Sequence, residues 1–169
     1  LINSTEGVLF AEIAALTDND ALQALTLETV TINSLSVANT LADLQTTGTA
    51  TSKLVVTGDK LLTITAALDA EILTVDASAS TGGLTLSAAP AIGGITFIGS
   101  AGADTITVSA GNTDITGGAG NDYILAQTGN DSITTGTGND EVIAGVKSSH
   151  SNEKEDRAFQ IIKCKLQKK

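Results

Sequence analysis

The sequence predicts an all-β, right-handed parallel β-solenoid with a helical N-terminal portion. Three observations carry this prediction. Apolar–Thr–apolar triplets recur every eleven residues from residue 62 to residue 108, and a nine-residue repeat then fills residues 99–143. Only 2% of the residues are aromatic although 41% are hydrophobic, so the chain lacks the rings of an ordinary globular core yet is too apolar to be disordered. A solenoid requires such regular spacing, because each coil must place its apolar residues above those of the previous coil.

Residues 1–53 are predicted to be a helical and irregular start of the solenoid. Apolar residues at helical spacing predict a helix over residues 5–16; they are Leu9, Phe10, Ile13 and Leu16. The alternating pair Val30 and Ile32 indicates that short strands begin before residue 54. Residues 39–44 are predicted to form either a second short helix or a loop.

Residues 54–98 are predicted to form β-solenoid rungs of eleven residues. The repeated triplets are Leu62-Thr63-Ile64, Leu73-Thr74-Val75, Leu84-Thr85-Leu86, Ile95-Thr96-Phe97 and Ile106-Thr107-Val108. Each triplet alternates between apolar and polar side chains, which is the period of a strand with one buried face.

Residues 99–145 contain a nine-residue repeat whose recurring residues predict a functional site. In register, residues 99–143 read GSAGADTIT, VSAGNTDIT, GGAGNDYIL, AQTGNDSIT and TGTGNDEVI. Position four is Gly in every repeat and position eight is Ile or Val. Position six is Thr113 in the second repeat and an aspartate in the other four, namely Asp104, Asp122, Asp131 and Asp140. This pattern resembles the RTX nonapeptide, glycine–glycine–x–glycine–x–aspartate–x–apolar–x, whose family fold is a parallel β-roll that binds Ca²⁺ in its turns.

The spacing also suits calcium on physical grounds. A six-residue turn that reverses the chain and directs its carbonyls inward needs unusual backbone angles, and therefore glycine. Ca²⁺ takes about 6–8 oxygen ligands, including carboxylates and backbone carbonyls. Carboxylates aligned on coils about 4.8 Å apart repel each other by about 1 kcal/mol in water and about 3–4 kcal/mol at an effective dielectric constant of 20. Because a divalent cation reverses this term, we expect the roll to fold only with metal.

The RTX resemblance also implies which residues form each site. In that family two nonapeptides make one coil, so each turn stacks on the turn two repeats later. One implied site combines the carboxylates of Asp104 and Asp122 with the carbonyls of Gly99, Ala101, Gly118 and Gly120. A second implied site combines the carboxylates of Asp122 and Asp140 with the carbonyls of Gly117, Ala119, Gly136 and Gly138. On the opposite edge Asp131 stacks above Thr113, and we expect that site to be weaker or empty.

The distribution of charge separates residues 146–169 from the rest. Residues 1–145 contain 16 acids and two bases, whereas residues 146–169 contain three acids and seven bases. The acidic body disfavours nucleic acid as a partner and attracts cations. Asn152 and Glu155 form a capping-box pattern ahead of an apolar face, which predicts an amphipathic helix over residues 153–167 of the basic tail.

No function class other than a structural one is indicated. No apolar run approaches the roughly 18 residues of a membrane span, and we find neither a nucleophile elbow nor a phosphate loop, so we expect no enzyme. Thr- and Ala-rich ladders joined to RTX repeats resemble bacterial surface-layer proteins and large adhesins. The resemblance implies a secreted, cell-surface structural module that folds on binding Ca²⁺ outside the cell. Its predicted partners are calcium ions and, in a surface lattice, further copies of itself.

An alternative prediction is an RTX folding and secretion module of a larger toxin or secreted hydrolase. In that case the catalytic part would lie outside this chain. The chain begins at Leu1 and contains no Met, which favours a fragment of a longer protein.

Overall fold

The structure is a computed structural model that describes residues 3–4, 8–13, 21–25, 29–47, 52–88, 94–145 and 160–165, with side chains over 29–44, 53–88 and 94–145. Every regular element of these residues is a β-strand. The strands, in chain order, are β1 (Asn3–Ser4), β2 (Val8–Ile13), β3 (Ala21–Leu25), β4 (Thr29–Ser34), β5 (Asn39–Leu41), β6 (Asp43–Thr47), β7 (Ser52–Gly58), β8 (Leu62–Leu68), β9 (Ile72–Ser80), β10 (Leu84–Ala88), β11 (Thr96–Ile98), β12 (Thr105–Ala110), β13 (Asp114–Ala119), β14 (Tyr123–Thr128), β15 (Ser132–Thr137), β16 (Asn139–Ala144) and β17 (Gln160–Lys165).

The strands form two seven-stranded sheets and one short sheet. The first sheet has the order β17-β16-β14-β12-β10-β8-β5, and the second has the order β15-β13-β11-β9-β7-β4-β2. A three-stranded sheet, β1-β3-β6, lies at the N-terminal end of the chain. Neighbouring strands are parallel except where β17 pairs antiparallel with β16. The predicted all-β parallel solenoid is therefore confirmed.

The length of one coil corrects the predicted eleven-residue rung. Leu62 pairs with Leu84, and Thr74 pairs with Thr96, so a complete coil in this part of the chain has 22 residues. Eleven residues are enough for one strand and one turn, and the chain then passes to the other sheet. Consecutive triplets therefore lie in alternate sheets, and each triplet stacks on the next but one in the sequence.

In the nonapeptide part each coil has 18 residues, because Ile106 pairs with Ile124, and Ile115 pairs with Ile133. The stacking of each turn on the turn two repeats later is confirmed. The shorter coil brings position six of the first, third and fifth repeats to the same edge of the solenoid.

The core lies between the two large sheets. Among the described side chains, the inward positions of both sheets form a single apolar cluster that runs along the solenoid. Ile64 and Ile106 contribute to it from the first sheet, and Val75 and Phe97 from the second. Phe97 is fully buried, and most of the remaining core volume comes from Ile, Leu, Val and Ala. A stack this thin needs few aromatic rings, which explains the composition.

The predicted helical N-terminal portion is wrong. Residues 8–13 form the strand β2, which pairs in parallel with β4, with Leu9 in register with Val30 and Ala11 in register with Ile32. Residues 5–7 and 14–16 of the predicted helix lie outside the described residues. Residues 39–44, where a second short helix or a loop was predicted, instead contribute to β5 and to the start of β6. Helical spacing is a weak preference, and it is overridden when an adjacent coil offers a ladder of backbone hydrogen bonds.

The basic tail also differs from the sequence prediction where the structure describes it. Residues 160–165 form β17 rather than part of a helix, and their register sets Ile162 opposite Val142 and Cys164 opposite Asp140. Residues 153–159 and 166–167 of the predicted helix lie outside the described part of the chain. Within the described residues, no helix is long and apolar enough to cross a membrane.

Candidate metal centre

Three turns stack along one edge of the nonapeptide part. We call this edge, formed by residues 99–104, 117–122 and 135–140, the aspartate edge. Asp104, Asp122 and Asp140 follow one another along it, each buried with at most 5% of its surface exposed. The backbone N–H of Asp104 donates to Asp122 Oδ1 at 3.0 Å, and the N–H of Asp122 donates to Asp140 Oδ1 at 3.0 Å. The alignment of these three carboxylates, predicted from their phase, is therefore confirmed.

Two of these carboxylates have an oxygen with no partner. Asp122 Oδ2 and Asp140 Oδ2 are both buried and accept no hydrogen bond. A buried polar atom without a partner is unfavourable, and a buried anionic oxygen without a partner is far more so. These are hard oxygen donors of the kind that Ca²⁺ prefers. The aspartate edge therefore fits Ca²⁺, because bound calcium would give each of these two oxygens a partner.

Asp104 differs from the other two because the protein satisfies its carboxylate. Its Oδ1 accepts hydrogen bonds from the N–H of Leu84 and from Ser100 Oγ, both at 2.7 Å. Its Oδ2 accepts a hydrogen bond from the N–H of Ser100, also at 2.7 Å. A carboxylate has about four lone-pair sites, so Asp104 retains little capacity for another ligand.

The electrostatics of the edge favour a cation. The pKa of Asp122 is raised to about 6, chiefly by burial and also by the adjacent charges of Asp104 and Asp140, while the hydrogen bond from the Asp104 N–H opposes the shift. Burial likewise raises the pKa of Asp104, against the hydrogen bonds from Ser100 and Leu84. Both shifts mean that the structure disfavours the charged carboxylates unless a positive charge lies near them.

Glycine is required where coils approach each other most closely. A Cβ on Gly117 would meet the carbonyl oxygen of Thr135 and would lie 2.6 Å from Asp122 Oδ2. Gly118 has a φ of +108°, which other residues rarely adopt, and a Cβ there would meet the carbonyl oxygen of Ser100. At Gly117 and Gly118 the absence of a side chain therefore keeps the space beside the carboxylates open.

All eight predicted carbonyl donors lie on the aspartate edge. They are Gly99, Ala101, Gly117, Gly118, Ala119, Gly120, Gly136 and Gly138. Among the described residues, no three Asp, Glu, His or Cys side chains converge on one point. Any cation held at this edge must therefore take most of its oxygen ligands from the main chain, as the glycine-rich turns allow.

The opposite edge has different chemistry. We call residues 108–113 and 126–131 the threonine edge. Here Asp131 Oδ1 accepts hydrogen bonds from the N–H of Thr113 at 3.1 Å and from Thr113 Oγ1 at 2.7 Å. Thr113 is buried, whereas Asp131 is only half-buried. A neutral hydroxyl thus occupies the place that a second carboxylate has on the aspartate edge, and residues 146–149, which would follow on this edge, lie outside the described part.

Sequence reasoning missed two contributors to the turns. The asparagines at position five form ladders, in which the N–H of Asn130 donates to Asn112 Oδ1 and the N–H of Asn139 donates to Asn121 Oδ1, both at 2.9 Å. Their recurrence at one repeat position was a visible signal. Ser100, which bonds Asp104, carried a weaker signal, since it stands where the third and fifth repeats have glycine.

A comparison with protein families identifies this part of the chain. Residues 96–124 and 116–146 match the model of the family described as RTX calcium-binding nonapeptide repeat (4 copies). Residues 96–146 are RTX calcium-binding repeats. We call residues 99–145 the RTX roll, and it binds Ca²⁺. The match spans less than a third of the chain. Searches of curated proteins and of solved structures found no match.

Proposed function

We propose that the chain is a calcium-binding structural module of a secreted bacterial surface-layer or adhesin-type protein, and that the RTX roll folds when it binds Ca²⁺ outside the cell. The observation that carries the proposal is the pair of buried, unpartnered oxygens, Asp122 Oδ2 and Asp140 Oδ2. A structural role is further supported by the core, which continues without interruption from the preceding coils into the roll.

The aspartate edge supplies two proposed sites. The carboxylates of Asp122 and Asp140 would serve the site between the last two turns. Its carbonyl ligands would be those of Gly117, Ala119, Gly136 and Gly138. The site between the first two turns, predicted from Asp104 and Asp122, would take its carboxylate chiefly from Asp122, because Asp104 already accepts three hydrogen bonds. Its carbonyl ligands would be those of Gly99, Ala101, Gly118 and Gly120. Bound Ca²⁺ would neutralise these carboxylates and link consecutive coils. Asp131 on the threonine edge would provide a weaker site, because Thr113 contributes no charge.

The proposed location follows from calcium concentrations. RTX repeats are typical of extracellular proteins. Extracellular modules bind Ca²⁺ with dissociation constants of about 10⁻⁴–10⁻³ M, so they are saturated outside the cell and empty inside it. Binding that favours only the folded state stabilises that state by mass action. An acidic chain of this kind would remain unfolded in the cytoplasm and fold after export.

Calcium titration of carboxylate variants tests the proposed sites. We expect isothermal calorimetry to detect Ca²⁺ binding at up to millimolar concentration, with Asp122→Asn losing most of the affinity because Asp122 lies between both proposed sites. Asp131→Asn should weaken binding less. The matched control is Asp114→Asn, since Asp114 is an exposed carboxylate of the same roll. Absence of binding in the unsubstituted chain, or an equal loss in Asp114→Asn, would contradict the assignment.

The surface role is tested by the state of assembly. A lattice or adhesin module is expected to self-associate in an ordered way when Ca²⁺ is added, which light scattering and electron microscopy detect. A folding module of a larger toxin or hydrolase is expected to fold with Ca²⁺ and remain monomeric. A calcium-folded monomer at high protein concentration would therefore favour that alternative over the surface-layer proposal.

A further inference from the structure

We propose that Ser100 and Asp104 form a lock that closes the first turn of the RTX roll without calcium, so that this turn is a preformed template for the calcium-dependent turns after it. This inference rests on the proposed function, because it divides the roll into a part that needs calcium and a part that does not. It assigns to Ser100 a role that the repeat pattern does not contain.

The second position of the aspartate-edge turns belongs to a column that runs through most of the solenoid. Pairing and backbone hydrogen bonds between adjacent coils connect its members, which are Ser34, Gly58, Ser80, Ser100, Gly118 and Gly136. The three serines are buried, with at most 3% of their surface exposed. Before the roll, where no coil has an aspartate at position six, the column contains Ser34, Gly58 and Ser80, and in the roll glycine occupies it in the turns of Asp122 and Asp140. Ser100 is the exception, because its turn has both the serine and the aspartate.

In the coils before the roll, the serine hydroxyls of this column satisfy the polar groups of the turns. Ser80 Oγ lies 3.1 Å from the carbonyl oxygen of Gly58 and 3.2 Å from that of Gly82. Ser34 Oγ donates to the carbonyl oxygen of Leu61 at 3.4 Å. These turns are therefore closed by neutral hydroxyl groups, with no charge that requires a cation.

Ser100 donates to a carboxylate, whereas Ser34 and Ser80 donate to carbonyl oxygens. It donates two hydrogen bonds to Asp104, one from its hydroxyl and one from its backbone N–H, and Leu84 in the preceding coil donates a third. Gly118 and Gly136 have positive φ values, whereas Ser100 does not. The N–H groups at these glycines do not reach the carboxylates of their turns, since Asp122 Oδ2 and Asp140 Oδ2 remain without a donor. The lock thus depends on both the hydroxyl and the backbone conformation of Ser100.

The lock connects the coil before the RTX roll to the first calcium-dependent turn. The bond from Leu84 joins Asp104 to the last coil of the eleven-residue part, so the first RTX turn is attached to a coil whose closure needs no metal. The N–H of Asp104 in turn donates to Asp122, the first carboxylate with an unpartnered oxygen. Calcium-dependent order is therefore expected to begin after residue 104 and to extend toward residue 145.

Hydrogen exchange of the full chain, measured by mass spectrometry with Ca²⁺ and with a chelator, tests the lock. In chelator we expect residues 84–104 to remain protected while residues 117–140 exchange freely. Ser100→Ala and Ser100→Gly should raise exchange at 84–104 about tenfold or more in chelator, since each removes a hydrogen bond to a charged group. With Ca²⁺ both variants should match the unsubstituted chain. Ser100→Gly has the residue that the later turns already use, so it keeps the test valid if Ser100→Ala fails to fold.

Ser109→Ala is the matched control. Ser109 holds the second position of a turn on the threonine edge, and its hydroxyl donates to the carbonyl oxygen of Ala88 at 3.1 Å rather than to a carboxylate. An increase at residues 84–104 in Ser109→Ala equal to that in Ser100→Gly would overturn the lock, as would unchanged exchange in Ser100→Gly. Failure of Ca²⁺ to protect residues 117–140 in the unsubstituted chain would instead overturn the proposed function, and the chelator result would still decide the lock.

Discussion

The coils before residue 99 and the RTX roll share two sheets and one core, yet their turns are closed by different chemistry. The change is visible in one column of equivalent positions on successive coils. The members of this column are Asn39, Leu62, Leu84, Asp104, Asp122 and Asp140. Burial of a leucine side chain stabilises a fold by about 1.5–3 kcal/mol and needs no partner. Burial of an unpaired carboxylate costs several kcal/mol until a cation compensates it. The change from leucine to aspartate in this column makes the second region depend on metal.

The removal of calcium is expected to separate the two regions most strongly. In chelator at neutral pH the RTX roll after residue 104 should lose its cooperative structure, because Asp122 and Asp140 lose their counter-ion, while residues 53–88 and the first turn of the roll stay folded. Far-UV circular dichroism should show a partial loss of strand signal that Ca²⁺ restores, and limited proteolysis should cleave after residue 104. Complete loss of structure in chelator would contradict the comparison by making both regions one cooperative unit.

Truncation of a core side chain on either side of residue 99 should give the next largest effect. Leu62→Ala and Ile124→Ala each remove a side chain with no exposed surface, and such changes destabilise a protein by about 2–5 kcal/mol. We expect Leu62→Ala to lower the free energy of unfolding in both Ca²⁺ and chelator. Ile124→Ala should lower it only in Ca²⁺, because the roll is already unfolded in chelator.

Chemical denaturation of both variants under both conditions measures this difference. The unsubstituted chain, denatured in parallel, supplies the reference for each condition. If Ile124→Ala proved equally destabilising with and without Ca²⁺, the roll would have a folded metal-free form.

A methyl group beside the carboxylates should weaken calcium binding by a smaller amount. Gly117→Ala places a Cβ against Asp122 Oδ2 and the Thr135 carbonyl, and overpacking of this kind costs about 1–3 kcal/mol. We therefore expect calorimetry to show an affinity lower by about tenfold. Thr135→Ala is the matched control, because Thr135 holds the same repeat position in the last turn and already has a Cβ. Equal affinities for the two variants would show that the close approach at Gly117 is unimportant.

The smallest expected effect is a pH dependence that distinguishes Asp122 from exposed carboxylates. Its pKa is raised from an ordinary 3.8 to about 6, so the folded chain binds this proton more tightly than the unfolded chain. Protonation of Asp122 should therefore stabilise a folded metal-free roll at about pH 4, and this stability should be lost as pH rises to about 6, which leaves the roll unfolded in chelator at neutral pH. Calcium affinity should rise over the same range, because protons then cease to compete with the ion.

Denaturation of the metal-free chain between pH 4 and pH 7 checks the first trend, and calorimetry at pH 5 and pH 7 checks the second. Asp122→Asn should flatten both profiles, whereas Asp114→Asn should leave them unchanged. A metal-free stability that increases with pH would contradict the environment described for Asp122.

The repeats predicted the solenoid, and the RTX resemblance implied that turns two repeats apart share one edge, which the structure explains geometrically. Two nonapeptides complete one coil, so aspartates 18 residues apart must lie one above the other, and Thr113 must fall on the opposite edge below Asp131. The N-terminal region has no comparable repeat. Its helical spacing at residues 5–16 was therefore the strongest local signal, and it was wrong because β4 offers β2 a strand partner.

The sequence by itself determined the eleven- and nine-residue repeats and the buried position in each strand, because these depend only on spacing and on alternation along a strand. The RTX resemblance implied the edge on which the carboxylates align, and the structure showed that each coil contains two repeats. The tertiary structure alone decided which carboxylate oxygens have donors. Asp104, Asp122 and Asp140 occupy the same repeat position, yet only Asp104 receives hydrogen bonds at both oxygens. Those bonds depend on the direction of the N–H groups in the turn and in the preceding coil, and a direction in space is not encoded by the spacing of one repeat.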